Sequence, residues 1–388
     1  MIVGLDGIRA LAFLLVFFDH TEYLYVGWAG VQLFFVLSGF LITGILLKMK
    51  EQIAGKEYFI KFYGRRILRI FPLYYFYLLL MSGITAILIF YGYRVNYMSR
   101  FQEQLPYALT YVYNFYVASA KYSGDSRLIG HFWSLSVEEQ FYIFWPLLIL
   151  LTPKKHLKKL FLVAIVLGPV VRLIITYIYR SQVFPFLSTD MPLSVYVLPF
   201  SHIDSFALGA YISRFEIPRP KFQLAVLLLL VPLVGFSTYY YSKGDFGVIS
   251  ALGFPFPLAN AMKQVWGYSL LAYLFAVLIF VVARQGLFAS ILETKFLRYL
   301  GKISYGMYVY HFPIVWFVAR IRDFGFGDED LAKPLTAIIA FFLTLLVASA
   351  SYRFLEKPIL DLKDRFFSLH IEKIGESNQR ILGRAPGD

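Results

Sequence analysis

Arg9 and His20 lie eleven residues apart in an apolar opening segment that begins Leu5-Asp-Gly-Ile and ends at Asp19-His20. Eleven residues of α-helix make about three turns, which sets both side chains on one face roughly 16 Å apart along the axis. Ionisable groups inside a hydrophobic span are costly and mark pathways or chemistry. A guanidinium at one end of such a helix can hold an anionic donor, and an imidazole three turns deeper can move a proton. A snorkelling arginine and a hydrogen-bonded core histidine would leave the same trace. The pair therefore needs company before it means catalysis.

Three further groups supply that company. In residues 57–72, Lys61, Arg65, Arg66 and Arg69 recur at helical spacing on an amphipathic stretch. Guanidinium forks bind phosphate oxygens in bidentate fashion, although a positive anchor on anionic lipid uses the same residues. In His131-Phe-Trp133-Ser-Leu-Ser136-Val-Glu138-Glu139-Gln140, Ser136 and Glu139 have capping-box spacing at the start of a helix. That leaves Glu138 as the freer carboxylate, able to orient an imidazolium or bind a sugar hydroxyl. His202 and Asp204 interrupt an apolar run, and His311 follows Ser304, Tyr305, Tyr308 and Tyr310, whose hydroxyls could satisfy it. Ser38 and Gly39 suit close packing of helices. No nucleophile elbow, phosphate-binding loop or zinc spacing occurs, so no metal is expected.

These residues sit in a membrane protein. The chain of 388 residues is 59% hydrophobic and 16% charged, against about 25% charged in soluble proteins. Its mean hydropathy is +0.63. The expected fold is all-α, a polytopic helical bundle with ten spans near 5–24, 29–47, 71–91, 137–152, 159–179, 195–213, 222–242, 264–283, 304–320 and 335–352. Basic residues cluster at 48–69, 154–159, 214–221, 284–302 and from Arg353. All five fall on one side only if residues 105–120, which contain Pro106 and Asn114, form a re-entrant or interfacial segment. Both termini are then cytoplasmic, with a membrane domain over 1–358 and a short tail over 359–388. The net charge of +13 follows from this orientation and gives no reason to expect nucleic acid. Cysteine is absent, which excludes disulfides and thiolate chemistry. No cleavable signal is visible, so the first helix is expected to act as an uncleaved insertion signal.

In this order the motifs resemble the acyltransferase-3 family of membrane O-acyltransferases. The matching pieces are Leu5-Asp-Gly-Ile-Arg9-Ala-Leu with His20, Phe34-Phe-Val-Leu-Ser38-Gly39-Phe40, and Arg65-Arg66-Ile-Leu-Arg69-Ile-Phe-Pro72. Trp133-Ser-Leu-Ser-Val-Glu138-Glu139-Gln140-Phe-Tyr142 and Leu300-Gly-Lys-Ile-Ser304-Tyr305-Gly-Met-Tyr-Val-Tyr-His311 complete the set. One departure is His202, where similar proteins usually carry Arg before the Ile-Asp. The resemblance covers residues 1 to about 358 and implies the form without a C-terminal hydrolase-like domain.

The resemblance implies transfer of an acyl group, most often acetyl, from cytoplasmic acyl-CoA to a carbohydrate hydroxyl, in a bacterial cytoplasmic membrane. It implies His20 as the catalytic histidine and Arg9 with Arg66 and Arg69 as donor-site residues; Arg65 completes the basic cluster. The expected partners are acyl-CoA as substrate, a carbohydrate or lipid-linked glycan acceptor, and membrane lipid, with no permanently bound cofactor. Physically, CoA is a polyanion that would meet these arginines from the cytoplasm, and a near-neutral imidazole suits general-base work. Asp19 is adjacent to His20 but about 100° away around the helix, so Asp19 or Glu138 could orient it. A single tunnel is expected to join the donor and acceptor sides, with residues 105–136 facing the acceptor. A proton-coupled transporter or flippase of a lipid-linked sugar is the competing class, but paired interrupted helices in two halves are not evident.

Overall fold

The computed structural model describes residues 4–53, 55–321 and 329–368, and among these every regular element is helical. The first helices are α1 (Leu5–His20), α2 (Ala29–Gln52), α3 (Gly55–Phe90), α4 (Val95–Leu109), α5 (Tyr113–Val117), α6 (Phe132–Leu151) and α7 (Leu157–Ser181). They continue as α8 (Met191–Val197), α9 (Ile203–Arg214), α10 (Pro220–Lys243), α11 (Lys263–Gln285), α12 (Ala289–Leu292) and α13 (Lys295–Lys302). The last are α14 (Ser304–Ile321), α15 (Glu329–Ser351) and α16 (Lys357–Phe366). The rest of the expected tail, 369–388, lies outside the described residues.

Seven helices among the described residues are long and apolar enough to cross a membrane, and they fall on seven of the ten expected spans. Leu79, Phe144, Leu229 and Leu346 on four of them are 66–75% exposed, a surface that only lipid would cover. The chain is a polytopic membrane protein. The other three expected spans fall on α1, α9 and α14, of 16, 12 and 18 residues.

The expected span 195–213 is not one helix. Leu198 is extended because it precedes Pro199, which disfavours helical backbone, and a short 3-10 turn over Pro199–His202 leads into α9. Such a break is tolerated where it is buried in protein, and Ser201 and His202 are fully buried. Residues 105–120 likewise break between α4 and α5, with Tyr111 at φ 54°, and do not cross as one helix.

The basic stretch is not a separate surface helix either. It is the first half of α3, whose 36 residues would reach about 54 Å, well beyond a bilayer core of about 30 Å. From Arg69 to Phe90 the helix rises about 32 Å, so Arg69 stands where the apolar core begins.

α2 and α9 form the closest helix pair. Gly39 faces the Phe206 carbonyl and Gly209 faces the Val36 carbonyl, so a Cβ at either position would collide with backbone. The packing expected of Gly39 is thus observed. Ser38, one residue earlier, points elsewhere, to Glu138.

Contacts also gather the five basic clusters on one face. Lys154 pairs with Glu51 at 2.9 Å, and Lys50 donates to the Ile149 carbonyl at 2.8 Å. Arg65 donates to the Phe367 carbonyl at 2.8 Å, and Arg284 donates to the Ser213 carbonyl at 2.7 Å. Glu293 accepts from the Gly4 amide beside the start of α1, which joins the 284–302 cluster to the Arg9 end of that helix.

Candidate active site

α1 carries Arg9 near its start and His20 as its last residue. The helix stops there because Glu22 turns to φ 62° and the Thr21 hydroxyl bonds back to the Phe17 carbonyl at 2.9 Å. The two residues open into different cavities. Arg9 lines an inner cavity, and His20 lines an outer one. Val31 and Tyr308 line both. Tyr308, whose hydroxyl lies 2.5 Å from that of Ser134, therefore marks where the two cavities adjoin along the line of the expected tunnel.

The inner cavity holds Arg9, Arg66 and Arg69. Arg9 is ion-paired with Asp6 one turn earlier. Arg66 lies 5.6 Å from the Tyr142 ring and 5.9 Å from the Phe62 ring, which fixes its plane. Among the described residues neither Arg66 nor Arg69 closes an ion pair with a carboxylate, so both can meet an external anion. Arg65 does not join them; its guanidinium is turned to Phe367.

The carboxylates also differ from expectation. α6 begins at Phe132 rather than near Ser136, so Ser136 bonds back to the Phe132 carbonyl at 3.1 Å inside the helix and forms no capping box with Glu139. Glu139 instead lines the inner cavity, with its buried Oε1 unpartnered. Glu138 is there too, accepting from Ser38 and from the Tyr142 hydroxyl, the latter at 2.9 Å. It lines the other cavity, and no hydrogen bond joins it to His20 among the described residues. Asp19 does line the outer cavity, with no hydrogen bond to the imidazole beside it among the described residues.

The partner of His20 is His311 of α14. His311 Nδ1 lies 2.6 Å from the Tyr308 carbonyl oxygen, which can only accept, so the Nδ1–H donates to it and Nε2 of the neutral ring holds a lone pair. His20 Nδ1 lies 2.7 Å from that Nε2 and must be its donor. His20 Nε2 is consequently left unprotonated. The His20 ring lies nearly coplanar with His311, 7° from parallel along the hydrogen bond, and Phe312 packs against it at 4.3 Å. This is the state a general base needs.

The outer cavity is lined by residues between Val117 and His131 and by an aromatic wall. Trp133 and Phe256 flank Tyr196 at 4.5 and 4.8 Å, and Trp28 stands 5.7 Å from the same ring. Asp125, about half exposed, pairs with Arg127 at 3.3 Å at the edge of this chamber. From the 105–136 region, Val117, Tyr122, Asp125, Arg127, His131 and Trp133 line this chamber.

The family model described as an acyltransferase domain matches residues 2–353. The chain belongs to the acyltransferase-3 family. It is 29% identical over 400 residues to O-acetyltransferase OatA of Staphylococcus aureus strain NCTC 8325 / PS 47, covering 98% of this chain and 60% of that protein. To O-acetyltransferase OatA of strain MRSA252 it is 30% identical with the same coverage. The chain thus spans about 60% of the length of the curated relatives it matches. No solved structure matches it.

Within this acyltransferase-3 chain, two groups singled out in the sequence have a structural role. His202 donates from Nε2 to the Tyr196 carbonyl at 2.6 Å and accepts from the Gln32 amide at 3.0 Å, and is fully buried. Asp204 takes a bidentate grip from Arg172 at 2.8 and 2.9 Å and a third bond from the Ser269 hydroxyl at 2.6 Å. Arg172 was legible as an ionisable residue inside the apolar run of α7, but only packing names its partner.

Proposed function

We propose that this chain is a membrane O-acetyltransferase that moves an acetyl group from cytoplasmic acetyl-CoA to a hydroxyl of a carbohydrate or glycoconjugate. One observation carries the reading: an arginine-lined cavity and a cavity holding an unprotonated imidazole stand back to back on the same helix. Family membership and two relatives named O-acetyltransferase support the reaction class.

On this reading the basic face is cytoplasmic, since loops rich in Lys and Arg stay inside, in a bacterial cytoplasmic membrane. CoA phosphates meet Arg66 and Arg69 with Arg9 beyond them, and the pantetheine arm runs outward along α1. The thioester passes Val31 and Tyr308, which line both cavities, to reach His20. As the acceptor oxygen bonds to the thioester carbonyl carbon, its proton passes to His20 Nε2. Collapse of the adduct breaks the C–S bond, and the CoA thiolate recovers that proton. His311 holds His20 in the required tautomer throughout, and Asp19 and Glu138 act as polar walls of their own chambers.

Purified chain in nanodiscs with radiolabelled acetyl-CoA and a glycan panel tests the reading. Label on a glycan is the expected result. Label that stays on CoA with every glycan, and is released neither to sugar nor to water, would sink it.

A further inference from the structure

His131 has a nitrogen that the reaction above does not use. It precedes α6, is 3% exposed, and lies in the wall of the outer cavity. Its Nε2 is 3.1 Å from the Val309 carbonyl oxygen, to which it must donate. Nδ1 of the neutral ring therefore carries a lone pair, and it is buried with no partner. Buried polar atoms in folded proteins are nearly always satisfied, so an orphan acceptor in a cavity wall points to a ligand donor. Phe312 packs against both rings, with His20 at 4.3 Å and His131 at 5.1 Å, and both histidines line the same outer cavity.

A ligand that satisfies both must bring two donors on one rigid frame. The surroundings favour hydroxyls on a sugar ring: the Trp133–Tyr196–Phe256 wall suits the apolar face of such a ring, and Asp125 and Arg127 offer bonds at its rim. Resting on the acetyl-transfer reading, we infer that His131 Nδ1 accepts a hydrogen bond from a second hydroxyl of the acceptor. The outer cavity thereby selects a sugar presenting two hydroxyls, one for His20 and one for His131, over a simple alcohol.

Two substitutions separate this from a packing role. In His131→Gln the side-chain amide can reach the position of Nε2 and keep the bond to Val309, while the acceptor at Nδ1 is lost. In His131→Asn the side-chain oxygen falls near Nδ1, while the bond to Val309 is lost. The probes are methyl glycosides of glucose, galactose and N-acetylglucosamine with their monodeoxy analogues, given with acetyl-CoA to the full chain in nanodiscs. Acetyl-CoA hydrolysis without sugar reports that the donor half is intact in each variant.

Wild type should lose roughly ten-fold in kcat/KM when the hydroxyl read by His131 is absent. In His131→Gln that ratio should fall to about one, whereas His131→Asn should retain it even at a lower rate. A Gln variant that discriminates as wild type does, or a wild type indifferent to every single hydroxyl, overturns the inference. Hydrolysis by wild type without transfer to any sugar also overturns it while leaving donor chemistry in place. Absence of both hydrolysis and transfer refutes the acetyl-transfer reading instead.

Discussion

His20 and His311 are separated by 291 positions in the chain and joined by one hydrogen bond of 2.7 Å. If His20 Nε2 is the base, His20→Ala should lower transfer by about 10²–10⁴-fold while the protein still inserts and binds donor. His311 is a positioning residue, so its loss should act through His20. His311→Phe should lower kcat and leave the donor KM near wild type, because no group in the inner cavity changes. His311→Gln, which can again offer an oxygen to His20 Nδ1–H, should restore part of the rate. Equal losses in both variants would assign His311 to packing alone. In the other chamber, neutralising Arg66 and Arg69 together should raise the donor KM and spare acceptor affinity. Lysines there should rescue only partly, since ammonium cannot reproduce a guanidinium fork. An unchanged donor KM would return these arginines to lipid anchoring.

At the scale of elements, the broken segment from α8 to α9 is held by charge. Arg172 of α7 and Asp204 of α9 are both fully buried, and removing one leaves the other uncompensated in an apolar interior. Arg172→Met should therefore destabilise the chain by about 3–5 kcal/mol, read as a large drop in thermal midpoint in detergent. Arg172→Met combined with Asp204→Leu should recover much of that loss, because no charge is then stranded. A double variant no better than the single one would show that Ser201, Val265 and Ser269, which also bond to the arginine, matter more than the ion pair. The same segment seats Phe206 and Gly209 against α2, which carries Ser38 and Val31 into the inner cavity.

At the scale of the whole molecule, the contacts between ends of helices put the basic clusters on one face, the face that the proposed orientation sets in the cytoplasm. The chain has no native cysteine, so single-cysteine labelling can test the assignment. Lys56→Cys and Lys158→Cys should be reached by impermeant reagent only from the cytoplasmic side, and Ser123→Cys only from the opposite side. Labelling of Ser123→Cys and Lys56→Cys from the same side would reverse the proposed direction of acetyl delivery.

Some of this needs no tertiary structure. Apolar runs of bilayer length and scarce charge dictate a helical membrane protein, because only internally bonded backbone crosses lipid. Helical rise alone puts Arg9 and His20 on one face, three turns apart, and the structure keeps that spacing by placing one in each chamber. Packing decided what local periodicity cannot address. Glu138 had the right chemistry to orient His20, yet the rotation of α6 sends it to Ser38 and Tyr142 in the other cavity. His311 could have bonded any of the hydroxyls near it in sequence, but the crossing of α1 and α14 brings His20 to its Nε2 while its Nδ1 faces a backbone carbonyl. Spacing along a helix is set by covalent geometry and is local, whereas the identity of a partner on another helix depends on how the bundle packs.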